Sequence, residues 1–92
     1  MPRVVVTAHV ADTVKWEAGF RTRGDLFRSE TVTKPIAFGI SEGNEVVVCF
    51  EPDDLEVFLK GLESSATADA IAVDGVKCET VKIYVMDKEF QP

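Results

Sequence analysis

The chain has 92 residues, 46% of them hydrophobic and 28% charged, with a formal net charge of −6. This is globular composition of single-domain length, so residues 1–92 read as one domain. The acidic balance and the lack of any Lys/Arg cluster exclude a nucleic-acid phosphate backbone or an anionic membrane surface as partner. No apolar run approaches the ~18–20 residues of a membrane span.

The opening MPRVVVTAHV has one Arg, alternating residues and no small-residue cleavage site. It reads as a strand over 3–10 rather than a signal peptide, which predicts a cytoplasmic protein with Cys49 and Cys78 as free thiols. One His and two distant Cys make a poor metal set. A lone His on a strand, with no second ligand, also argues against haem. No cofactor is therefore expected.

Asp12 or Thr13 offers an N-cap for a helix running to about residue 28, with Trp16, Phe20 and Phe27 on one face. Aromatics at that spacing read as core. Arg21, Arg23 and Arg28 carry charge that could meet an anion, but spread over a helix they read as a solvated face with Glu17 and Glu30. TKPIAFGIS (33–41) is the second strand. Pro35 cannot donate to a ladder, so this strand lies at an edge or joins the sheet after Pro35. SEGNEV turns the chain into the third strand, 45–51. In 52–62, Asp53 and Glu56 resemble a capping box, and Leu55, Phe58, Leu59 and Leu62 form a helical stripe. Ser64 or Ser65 caps a further helix, 66–73, ending at Asp74-Gly75. ETVKIYVMD (79–87) is the last strand.

The order β-α-β-β-α-β is that of an α+β, ferredoxin-like fold. It predicts a four-stranded antiparallel sheet, order 4-1-3-2, with the helices on one face. Its two central strands, 1 and 3, are nevertheless expected to run parallel.

Alternation divides the strands into two faces. One is wholly apolar and packs under the helices: Val4, Val6, Ala8 and Val10; Ile36, Phe38 and Ile40; Val46, Val48 and Phe50; Val81, Ile83 and Val85. The other is mixed: Val5, Thr7 and His9; Ala37, Gly39 and Ser41; Glu45, Val47, Cys49 and Glu51; Thr80, Lys82, Tyr84 and Met86. Such a face is too apolar for open water and too polar for a plain core. It suits a homodimer in which two sheets meet around a partly wet cavity.

The mixed face also holds the candidate chemistry. His9 is a candidate general base. With strands 1 and 3 parallel, Glu51 would fall near it and orient the ring. Tyr84 would donate to an enolate or carbonyl oxygen. Thr7, Cys49 and Lys82 would contact the ligand. Each has a structural alternative: a strand-end His satisfied by backbone or water, an interface Tyr, a small buried Cys.

HVADTVKWEAGF (9–20) resembles the H-V-x-D-x-x-x-W-x-x-x-F opening of small dimeric α+β-barrel proteins related to antibiotic-biosynthesis monooxygenases and stress-responsive barrel proteins. SSATADAIAVDGVKCETVKIYVMDKEF (64–90) resembles the C-terminal half of one bacterial branch of that group. The resemblance implies a ferredoxin-like subunit and a homodimer with an eight-stranded barrel. Characterised relatives include cofactor-free oxygenases of aromatic polyketides, aldol-type cyclases and haem-degrading enzymes. None of their catalytic motifs aligns here, so no site residue is carried over.

Two functions follow. One is a cofactor-independent, monooxygenase- or cyclase-like enzyme acting on a small organic or aromatic ligand in a pocket on the mixed face. The other is a non-enzymatic dimer that carries a small ligand or serves a stress-related role.

Overall fold

The computed structural model describes residues 3–92. The elements are β1 (Arg3–His9), α1 (Thr13–Phe20), α2 (Gly24–Ser29), β2 (Ala37–Ile40), β3 (Glu45–Phe50), α3 (Leu55–Leu62), α4 (Ser65–Val73) and β4 (Lys82–Met86). They form one antiparallel sheet in the order β2-β3-β1-β4, with the helices on one face. This is the expected ferredoxin-like arrangement.

The central pair differs from expectation, since β1 and β3 run antiparallel, with Val4 opposite Phe50 and His9 opposite Glu45. Connectivity dictates this. The α1–α2 crossover returns β2 parallel to β1, and the hairpin then reverses β3. The hairpin closes through Ser41 N–H donating to the Glu45 carbonyl, and Asn44 takes a left-handed φ of 59°. Asn adopts that conformation more readily than most residues.

The single helix expected to reach residue 28 is two. The chain turns at Arg21–Arg23 and restarts at Gly24. Asp12 caps α1, accepting from Val14 and Lys15 N–H. Asp54 caps α3 through Val57 N–H, while Asp53 instead accepts from the Thr33 hydroxyl, so the expected capping box lies one residue off. Ser64 caps α4, which ends at Gly75 in a left-handed turn, φ 80°. β2 begins only after Pro35. A short 3-10 turn over Cys78–Thr80 replaces the start of the expected last strand.

The apolar face packs under the helices as expected: Val4, Ala8, Val10, Val46, Val48 and Phe50 are buried against Trp16 and Phe58. At ~25 cal/mol per Å² of apolar area this layer is the main source of stability. Coverage thins near the sheet edges, where Ile40 and Ile83 stay 43% and 46% exposed. An aromatic chain runs through the layer. Trp16 stacks on Phe20 at 4.9 Å, Phe20 meets Phe27 at 5.4 Å, and Phe27 meets Phe50 at 5.3 Å.

Candidate functional site: a cavity between helices and sheet

The aromatic chain does not fill the space between the layers. A cavity of about 120 Å³ lies there. Val6, Ala8, Val46, Val48 and Phe50 form its floor. Trp16 and Phe20 of α1, Leu26 and Phe27 of α2, and Ala70 and Ile71 of α4 roof it. Three polar side chains also line it: Arg23, Thr67 and Asp74. The cavity is therefore on the apolar face, whereas the expected pocket was on the mixed face. The strand pattern marked that apolar face as solid core. Alternation shows which residues face the helices but not how closely the helices approach.

Arg23 stands in the break between α1 and α2, facing the end of α4. Its Nε and Nη2 donate to Asp74 Oδ2 and Oδ1 at 3.2 and 2.7 Å. The Asp74 hydrogen bond, ahead of the desolvation that opposes it, raises the Arg23 pKa and keeps the guanidinium charged. Asp74 is buried and rests on Gly19, where a β-carbon would lie 2.1 Å from Oδ1. Only glycine leaves room for the carboxylate there.

Behind the cavity wall sits a second buried acid. Glu30, expected on a solvated face, is only 4% exposed. It lies just after α2, where the turn continues through Thr31 at φ 69°. That turn is closed by Thr31 N–H to the Arg28 carbonyl and Val32 N–H to the Phe27 carbonyl. The strain of a β-branched residue there is held by Thr31's backbone and side-chain hydrogen bonds to Asp53 and Asp54. Burial raises the Glu30 pKa, partly offset by a hydrogen bond with Thr67. The Thr67 hydroxyl lies 2.6 Å from Glu30 Oε2 and 2.7 Å from the Gly61 carbonyl. It has one proton to give. Thr67 donates to Glu30 Oε2, and the Gly61 carbonyl also accepts from the Ser64 hydroxyl at 2.7 Å. Glu30 Oε1 has no partner among the described residues, which costs less on a neutral acid than on a carboxylate.

The residues expected to act together do not converge. His9 is exposed at the end of β1, its Nε2 3.7 Å from Glu45 Oε2, and its backbone N–H donates to the Thr80 hydroxyl. Glu45, not Glu51, is thus its carboxylate neighbour. Glu51 follows Phe50, the partner of Val4, which lies about 17 Å from His9 along β1. Glu51 sits 3.6 Å from Lys34 Nζ instead. The parallel pairing that would have joined it to His9 does not occur. Tyr84 pairs with Val5, about 13 Å from His9 along the strand, and is half exposed. Thr7 lies between Val47 and Lys82, and Cys49 beside Val5 and Ala37. All sit on the sheet face opposite the cavity. From sequence, Arg23 could meet an anion but reads with Glu30 as part of a solvated face, and Asp74 and Thr67 are not candidate site residues. Their only signals there are an arginine run and a helix-ending Asp-Gly, both of which occur widely on solvated surfaces.

Comparison with solved structures places this architecture. A candidate antibiotic biosynthesis monooxygenase from Bordetella bronchiseptica superposes with a TM-score of 0.72 at 11% identity, over 97% of each chain. SnoaB, a cofactor-independent oxygenase from Streptomyces nogalater, gives 0.72 at 12% identity, over 98% of this chain and 94% of its own. A candidate antibiotic biosynthesis monooxygenase from Nitrosomonas europaea gives 0.63 at 14%, over 98% of this chain and all of its own. The chain therefore has the antibiotic-biosynthesis-monooxygenase-like fold that its opening motif resembles. No protein-family model and no curated protein sequence matches it.

Proposed function

We propose that the chain binds a single-ring organic or aromatic ligand in the cavity under its helices and oxygenates it without a bound cofactor. The observation that carries this reading is the aromatic, largely apolar cavity with a few polar groups at its wall, the usual make-up of a small-molecule site. An apolar cavity of about 150 Å³ is known to take up benzene, so about 120 Å³ suits one ring. The reaction class comes from the shared fold with SnoaB, whose description is that of a cofactor-independent oxygenase. Fold alone does not fix chemistry, so the reaction needs its own test. Oxygen uptake over a panel of single-ring phenols, without added metal or flavin, supplies it. Uptake that disappears when the cavity is filled by mutation supports the enzyme. Saturable binding with no uptake for any phenol supports a carrier.

We further infer a homodimer through the mixed sheet face. Val47, Tyr84 and Met86 are 41%, 48% and 54% exposed there, a patch expected to be covered. In that assembly His9, Thr7, Cys49, Lys82 and Tyr84 line the space between the sheets, and Glu51 lies at its edge. No helix among the described residues is long and apolar enough to cross a membrane.

A further inference from the structure

Resting on the reading of the cavity as a ligand site, we propose that Arg23 anchors the carboxylate of a single-ring aromatic acid. The ring lies in the cavity and the acid group faces outward. Arg23, Leu26 and Ala70 border both the apolar cavity and an open cleft of about 350 Å³, which Thr22, Asp69 and Val73 help to form. The guanidinium thus stands where apolar interior meets solvent-open cleft. A ligand that is apolar at one end and charged at the other matches both environments.

A guanidinium has five N–H groups arranged in forks. Asp74 occupies the side fork of Nε and Nη2. The end fork, Nη1 with the second Nη2 N–H, has no partner among the described residues. A carboxylate fits such a fork with two parallel hydrogen bonds. Asp74 holds the guanidinium in place, and Gly19 leaves the room that seats Asp74. The Arg23 side chain is 27% exposed, so it is partly desolvated yet reachable from the cleft. Partial desolvation strengthens its pull on an anion relative to a surface arginine. The net charge of −6 and Asp69 in the cleft oppose an approaching anion, but charges beyond ~8 Å are screened at physiological salt.

The test is calorimetric titration of the full chain with benzoate, toluene and benzylamine, single-ring probes that differ in charge. Benzoate is expected to bind at least tenfold tighter than toluene, and benzylamine weakest. Arg23→Gln/Asp74→Asn, which keeps the shape of the pair without its charges, should lose that tenfold preference and still bind toluene. Toluene binding as tightly as benzoate, or a double variant that keeps the preference, overturns the anchor and leaves the cavity reading standing. No binding of any probe overturns both. Should the double variant fail to fold, the order of the three probes on the unaltered chain decides alone.

Discussion

Arg23 and Asp74, 51 positions apart in sequence, meet in a forked ion pair at the edge of the cavity. Arg23 comes from the break between α1 and α2, and Asp74 from the end of α4. The pair ties the first part of the helical layer to the last, and it supplies charge to a largely apolar chamber.

Asp74→Ala should therefore destabilise the chain by about 1–2 kcal/mol, because a half-buried guanidinium loses its partner. For a domain this size that lowers Tm by roughly 5–15 °C. Arg23→Gln/Asp74→Asn should stay within about 1 kcal/mol of the parent, since neither group is left charged and alone. Thermal melts of the three proteins followed by circular dichroism check both values.

Gly19→Ala sets two effects against each other. Alanine is better in a helix by about 1 kcal/mol. Here its methyl group would sit 2.1 Å from a buried carboxylate oxygen. Overpacking of that kind costs about 1–3 kcal/mol, so the substitution should destabilise. In an Asp74→Ala background the clash disappears, and Gly19→Ala should then raise Tm. A reversal of sign between backgrounds is the readout.

The fold was legible because its signals are periodic. Alternation in RVVVTAH and EVVVCF, the Asp12 cap and the Asp74-Gly75 stop each act within a few residues. The site was not legible because it depends on distances between elements. Nothing near Glu30 in sequence shows that Gly61 and Thr67 close over it. The break at Arg21–Arg23 contains neither Gly nor Pro, and only the flanking Gly19 and Gly24 weakened the reading of one helix. The misplaced His9–Glu51 pair came from strand direction: one reversal of β3 moves its acidic end from one end of β1 to the other.

Glu30 should make stability depend on pH in an unusual direction. Its pKa is raised in the folded chain by burial, so the native state holds the proton more tightly than the unfolded state does. The contribution is then fully present below the usual glutamate range. It is lost as pH rises through the raised folded value. Glu30→Gln removes this dependence while keeping size and an acceptor for the Thr67 hydroxyl. The variant should melt higher than the parent at pH 7, and the gap should shrink or reverse near pH 4. A gap that stays constant over that range would mean that folding leaves the Glu30 pKa unchanged.

Filling the cavity separates binding from folding. Ala70 lines the chamber from α4, and Ala70→Leu places three more carbons into it. Recovering part of about 120 Å³ is worth on the order of 1 kcal/mol at ~24 cal/mol per Å³ of cavity. The expected outcome is unchanged or higher Tm with at least tenfold weaker toluene binding by calorimetry. Full retention of binding would place the ligand elsewhere.

The proposed dimer is testable at Tyr84. Tyr84→Glu puts a charge into the mixed face, opposite Val5. Light scattering coupled to size exclusion should show the parent at twice the chain mass and the variant at one. A parent that runs as a monomer at micromolar concentration would refute the assembly.

The sheet has its chamber on one side and its candidate partner surface on the other. Two subunits joined through the mixed faces would hold their chambers on opposite outer flanks, separated by two layers of strand. Occupancy should then rise as one ligand per chain with a Hill coefficient of one. Loading one subunit would tell the other nothing, and a ligand-free dimer would associate as tightly as a saturated one.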